Sequence, residues 1–120
     1  MAENYKGQDI CERTRAYSLR IIKLFRVIEQ DEVGRVIGKQ LLRAGTSIGA
    51  NVAEAQSGQS NPDFVHKINL ALKEARESEY WLRLIVDAEL VSVDRMTPIL
   101  NETEEITKIL FTIIQKSKRS

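Results

Sequence analysis

Arg43, with Gln40, Ser47, Asn51 and Glu54 at helical spacing around it, is where this sequence lines up hydrogen-bonding groups in a row. At 100° per residue the five share one stripe of a helix. Such a stripe supports two chemistries. Lining a groove or central channel, it would let the Arg43 guanidinium meet a phosphate. Partly buried, it would be a hydrogen-bond network in which Glu54, or Glu79 of a following helix, neutralises Arg43 and fixes helix register or subunit geometry. The structural reading is preferred. Tyr80-Trp81-Leu82-Arg83 also reads two ways. Aromatic residues beside arginine can stack on nucleic-acid bases, but in mid-helix between apolar neighbours Tyr80 and Trp81 are better read as interface anchors.

Catalytic constellations are missing from the pattern. Gly34, Gly38, Gly45 and Gly49 lie inside a helical repeat and do not form a phosphate-binding loop after a strand. His66 is the single histidine, without a nucleophile or metal-ligand partner at recognisable spacing, and reads as a surface or groove residue. The carboxylates Glu74, Glu77 and Glu79, and Glu102, Glu104 and Glu105, resemble helix-face charges that pair with Lys73, Arg76 and Lys108. Paired Glu-x-x-His motifs of a di-iron bundle are absent. The expectation is therefore a protein that is not an enzyme, with no catalytic residue, no cofactor, no metal and no small-molecule substrate.

The elements that position these residues are helices, since no segment alternates like a strand or carries a hairpin turn. Ile10, Thr14, Tyr17, Ile21, Leu24 and Ile28 recur at spacings of four and three, predicting a first helix over about 8–30, with Asp9 and Glu12 as a capping-box-like start. Asp31 caps a second helix over 32–57, and Asn61-Pro62 opens a third over 62–89. Ser92 caps the last segment, 93–117, where Pro98 favours a short turn at 93–97 followed by a helix. Short connections favour antiparallel neighbours. The fold class is all-α, an antiparallel up-down-up-down four-helix bundle in one domain spanning 1–120.

Within the second helix, Ile37, Leu41, Ala44, Ile48, Val52 and Ala55 form a core stripe about 80° wide, and the four glycines fill the next arc, about 60° wide. An interior glycine costs roughly 1 kcal/mol against alanine, so these mark close approach of another backbone. The third helix, besides its core stripe of Phe64, Ile68, Ala71, Ala75, Leu82 and Ile85, carries Leu70, Tyr80, Trp81, Leu84 and Ala88. Both features point to a second contact face, hence a homo-oligomer.

At 120 residues the chain suits one domain. Its 18 basic and 17 acidic residues nearly cancel, so any affinity for nucleic acid must come from local patches. The first thirty residues hold six basic and four acidic groups. Candidate nucleic-acid contacts are Arg13, Arg20, Lys23 and Arg26 in the first helix and Lys116, Lys118 and Arg119 at the end. One cysteine, Cys11, excludes an internal disulfide. With no leader and no membrane-length apolar run, the expectation is a cytoplasmic protein with no membrane partner.

The segments KQLLRAGTSIGANVAEAQSGQS, DFVHKINLALKEARESEYWLRLIVDAELV and EEITKILFTIIQKSK resemble the four-helix bundle proteins of the 23S ribosomal RNA intervening-sequence family, over roughly residues 8–118. Many members carry proline where this chain has Gly49 and glycine where it has Ala55, so a helix break at 49 is not carried over. The resemblance implies an antiparallel protomer assembled as a ring, a homopentamer, with no defined biochemical role. It also implies a distant relation to retroelement accessory proteins that bind nucleic acid together with a reverse transcriptase. The leading functional reading is a homo-oligomeric scaffold or adaptor. The alternative is an accessory protein that binds RNA through basic faces of the oligomer, with nucleic acid or a nucleic-acid enzyme as partner.

Overall fold

A computed structural model describes residues 2–118, with side chains from Asp9 onward. It is all-α: α1 (Ala2–Ile28), α2 (Glu32–Ala55), α3 (Asn61–Asp87) and α4 (Val93–Lys118), with no strand among the described residues. The helices share one apolar core, to which each contributes its four-and-three stripe. Tyr17, Ile21, Leu41, Ile48, Ile68, Leu82, Met96, Ile106 and Leu110 are fully buried. Of the partly polar stripe members, Thr14 and Thr103 are buried too, each returning its hydroxyl to the carbonyl one turn back: Ile10 O at 2.8 Å and Ile99 O at 2.7 Å. That local bond is what lets a threonine enter a core position without an unpaired polar atom.

Caps explain most boundaries. Asp31, in extended conformation, accepts from Gly34 N at 2.9 Å and starts α2. The start of α3 departs from the expected Asn61 cap. Ser60 takes that role, accepting from Asp63 N at 3.2 Å, and Asn61 instead donates to Ser117 O at 3.1 Å. A serine one residue earlier caps equally well and leaves Pro62 in the first turn, where its missing N–H costs nothing. α3 closes with Glu89 at φ 59°, in the left-handed region, and Leu90 N bonds back to Ile85 O at 3.1 Å, satisfying a terminal carbonyl.

Two further expectations are corrected. Asp9 and Glu12 do not start α1, which extends back to Ala2. Pro98 does not separate a turn from a helix, because α4 runs through it unbroken from Val93. Being within the first turns, Pro98 removes one bond, to the carbonyl of exposed Asp94, which water can serve, while Thr97 Oγ1 holds Val93 O at 2.8 Å. α2 likewise continues through Gly49 without a break.

Contacts between α1 and α2 descend one helix as they ascend the other: Ile28 against Gly34, Phe25 against Gly38, Ile21 against Gly45, Thr14 against Gly49. The α2–α3 and α1–α2 seams are broad, the α3–α4 seam somewhat less so, and the α1–α4 seam is slight. That last seam is closed by two polar bridges. Arg13 grips Glu102 through both carboxylate oxygens, at 2.7 and 2.8 Å. Below it in the core, Tyr17 Oη lies 2.6 Å from Thr103 Oγ1. Because the Thr103 hydrogen is already given to Ile99 O, Tyr17 is the donor. Burial pushes the Tyr17 phenol up to about 12.

The Arg13 bond holds Glu102 below the usual carboxylate range, against partial desolvation. A lowered folded-state value means that Glu102 stabilises the fold fully above the unfolded value of about 4.3 and stops doing so as pH falls through the folded one. Glu102→Gln is therefore expected to flatten the acid limb of the stability profile below about pH 5 and leave the profile's shape near neutrality unchanged. Urea melts over that range read it out, and an identical acid limb in the variant would show that Glu102 makes no such contribution.

Candidate interaction site on helices α2 and α3

The three faces of α2 meet three different surroundings. Its core stripe is buried apart from half-buried Ile37. The glycine face is spent inside the chain. A Cβ on Gly34 would overlap the carbonyl oxygen of Ile28, while one on Gly38 or Gly45 would lie 2.8 Å from Phe25 Cδ1 or Ile21 Cγ1. A Cβ on Gly49 would lie 3.2 Å from the Thr14 carbonyl oxygen. The four glycines thus admit α1 of the same chain, which corrects their reading as a face for a second copy. Close approach is what glycine supplies here, but the neighbour is the preceding helix.

The polar stripe lies along the outer edge of the α2–α3 seam. Gln40, Arg43 and Glu54 are exposed, Ser47 and Asn51 half-buried. Arg43 pairs with neither Glu54 nor Glu79. It reaches Glu74 Oε1 at 3.3 Å and grips Glu77 through its other terminal nitrogen. Glu54 is held instead by Lys67 at 2.8 Å, and Glu79 by Arg83 at 2.9 Å. The axial register of α2 against α3 decides this, since it sets Arg43 level with the turn that carries Glu74 and Glu77. Ser47 Oγ donates to Arg43 O at 2.6 Å and Asn51 Nδ2 to Ser47 O at 2.9 Å, a ladder along α2 itself.

Trp81 joins this cluster. Its indole N–H donates to Glu77 Oε2 at 3.1 Å, and Tyr80 sets its ring edge-on to Trp81 with centroids 5.0 Å apart. The Trp81 bond first, and the Arg43 guanidinium after it, hold the Glu77 carboxyl below its ordinary value against partial desolvation. Tyr80 is 59 % exposed and Trp81 half-buried. On the facing part of α2, Val33 and Val36 are 55 % and 65 % exposed. Leu84 is half-buried on the same flank of α3. The two valines are functional candidates that the sequence reading passed over. Their signal is the spacing, since Val33 and Val36 stand seven and four residues before Gln40 and continue the arc of the polar stripe.

The cations proposed for nucleic acid are not brought together as a set. Arg13 is committed to Glu102, facing α4, which removes it from that role. Arg20, Lys23 and Arg26 are exposed on α1. Lys116 and Lys118 are exposed near the end of α4, and Arg119 lies outside the described residues. His66 is exposed beside a shallow cleft lined by Glu54, Ser57, Gly58, Asp63 and Lys67 at the α2–α3 loop. Cys11 is half-buried, and burial, then Glu12, push its thiol up. Among the described residues no group of three or more His, Cys, Asp or Glu could hold a metal, and no helix is long and apolar enough to cross a membrane.

Compared with known proteins, the chain matches the family described as 23S rRNA-intervening sequence protein over residues 6–112. It is 40 % identical to a crystallised protein of unknown function from the S23 ribosomal protein family of Bacteroides thetaiotaomicron, with a TM-score of 0.87 over 92 % of this chain and 98 % of that one. No curated protein matches it.

Proposed function

Because the chain belongs to the 23S rRNA-intervening sequence protein family, we propose that it is a non-enzymatic scaffold or adaptor. On this reading it is an antiparallel up-down-up-down four-helix bundle that assembles in the cytoplasm as a homo-oligomeric, pentameric ring. The opposed order of the α1–α2 contacts supports the antiparallel protomer, as do the α2–α3 pairs Arg43 with Glu74 and Glu54 with Lys67. With the glycine face consumed by α1, the oligomer rests on a different observation. It is the exposed apolar face of Val33, Val36 and Tyr80, with half-buried Trp81 and Leu84 behind them.

Large apolar side chains gathered on one face mark a contact surface, and tyrosine and tryptophan are the residues that most often anchor one. Arg43, at the edge of this face, is already satisfied by Glu74 and Glu77, so covering the face would not strand that guanidinium. Light scattering coupled to size-exclusion chromatography is expected to give a multiple of the 13.7 kDa chain mass. The double variant Val36→Glu/Tyr80→Glu, altered only at exposed positions, is expected to run as a monomer of unchanged helicity. A wild-type chain that stays monomeric across micromolar concentrations sinks the scaffold reading. A double variant that keeps the wild-type mass relocates the interface.

A further inference from the structure

Folding sorts the cations of α1 and α2 into two groups. Those that point toward another helix are neutralised: Arg13 by Glu102 of α4, and Arg43 by Glu74 and Glu77 of α3. Those on the outer surface, Arg15, Lys23 and Arg26 of α1 and Arg35 and Lys39 of α2, are exposed and form no ion pair among the described residues. Arg20 is exposed and forms none either, but it stands on the flank of Arg13, where Glu102 feels its charge. The sequence contributes to the same end, since no acidic residue stands between Glu12 and Glu29 or between Glu32 and Glu54. We infer that this outer face binds the phosphate backbone of a nucleic-acid duplex.

Helical geometry makes the face continuous. Arg15 and Arg26 point within about 20° of one another and lie about 16 Å apart along α1, with Lys23 and Arg20 turned progressively from them within an arc of about 140°. Residues 25–28 of α1 lie against 34–38 of α2, which sets Arg26 level with Arg35 and near Lys39. Those two share an arc of about 40° on the outer side of α2, Arg35 nearer α1 and Lys39 pointing away from the core. Glu29 and Glu32 bound the surface at the turn, where Asp31 is occupied as a helix cap.

The side chains on this face select the partner. Single strands are held by aromatic platforms, and the described parts of α1 and α2 expose none: Tyr17 is buried and Phe25 lies under Gly38. An acidic helix would need an apolar groove, whereas Leu19 and Val27 are separated by about 80° around α1 and stand among the cations. What is left is a convex row of point charges, suited to a duplex backbone and read without base contacts.

Fluorescence anisotropy of labelled 20-base-pair RNA and DNA duplexes of random sequence tests the inference, starting near 50 mM salt. Binding is expected, falling with salt by a log-log slope of about −0.9 per phosphate contact. Replacing Arg15, Arg20, Lys23 and Arg26 together by glutamine should weaken it tenfold or more and make the slope shallower. Lys73→Gln/Arg76→Gln, which removes exposed cations of α3, should leave it within twofold. Since none of the four α1 cations is paired, circular dichroism should find the quadruple variant folded, and the double variant Arg15→Gln/Arg26→Gln gives a half-step in the same direction. No wild-type binding at low salt overturns the inference, as does equal loss in the α3 variant. Displacement by polyglutamate at equal charge also overturns it, in favour of an acidic protein partner. The monomer or oligomer state of the chain is read separately, so failure here leaves the scaffold reading untouched.

Discussion

Gly34→Ala is expected to lower the stability of the fold by about 2 kcal/mol, even though alanine favours a helix over glycine by roughly 1 kcal/mol. The added Cβ would overlap the carbonyl oxygen of Ile28, which belongs to the backbone and has no rotamer to escape into. Relief requires moving the α1–α2 turn. That turn is held by Asp31 N on Ile28 O at 3.1 Å and by the Asp31 cap on Gly34 N at 2.9 Å, so the shift strains a capped helix start as well. The other glycines form an internal control. A Cβ on Gly38 meets a phenylalanine ring edge that can turn aside, and one on Gly49 is merely tight against the Thr14 carbonyl oxygen. Urea melts followed by circular dichroism should rank Gly34→Ala well below Gly38→Ala and Gly49→Ala, with a common slope. A neutral or stabilising Gly34→Ala would show that the turn yields freely, against the close approach described here.

Tyr17→Ala is expected to cost about 4 kcal/mol, the range for emptying a fully buried aromatic site. Tyr17 is 1 % exposed and joins α1 to α4 through Thr103. The conservative variant separates ring from hydroxyl. Tyr17→Phe keeps the volume and removes the donor to Thr103 Oγ1, whose own hydrogen stays on Ile99 O, so the loss should be about 1 kcal/mol. Thermal and urea unfolding of both variants measure the two components. If Tyr17→Phe fell as far as Tyr17→Ala, the hydrogen bond would dominate and the packing account would be wrong.

The extent to which the fold could be read from the sequence follows from the range of the forces. Core membership at Ile10, Ile21, Leu41, Ile48, Ile68 and Ile106 depends on a 3.6-residue period within one helix, and the sequence carries it directly. The caps at Asp31 and Ser92 are equally local. Partner choice is not local. Glu74, Glu77 and Glu79 lie within five residues, a few ångströms of axial shift, and only the assembled α2–α3 register awards Arg43 to the first two. The same holds for Arg13, which reads as a free cation until α4 brings Glu102 against it across 89 residues. The glycine face illustrates the limit from the other side. Its need for a close backbone was evident from composition, but whether that backbone was the preceding helix or another molecule was not. Val33 and Val36 fall on the wheel in the arc of the polar stripe itself, as its apolar extension, and only the folded chain leaves them exposed there.

The slight α1–α4 seam has a kinetic meaning. Nearly all packing joins helices that are neighbours along the chain, so most of the structure forms by closing short loops, whose entropic cost grows only slowly with length. Only the union of α1 with α4 demands that distant parts of the chain find one another, and its polar contacts are those of Tyr17 with Thr103 and of Arg13 with Glu102. A topology of this kind has low contact order and belongs among the fast folders. Its final step is a small closure rather than a long search, and in the reverse direction that seam is where the first helix would part from the last.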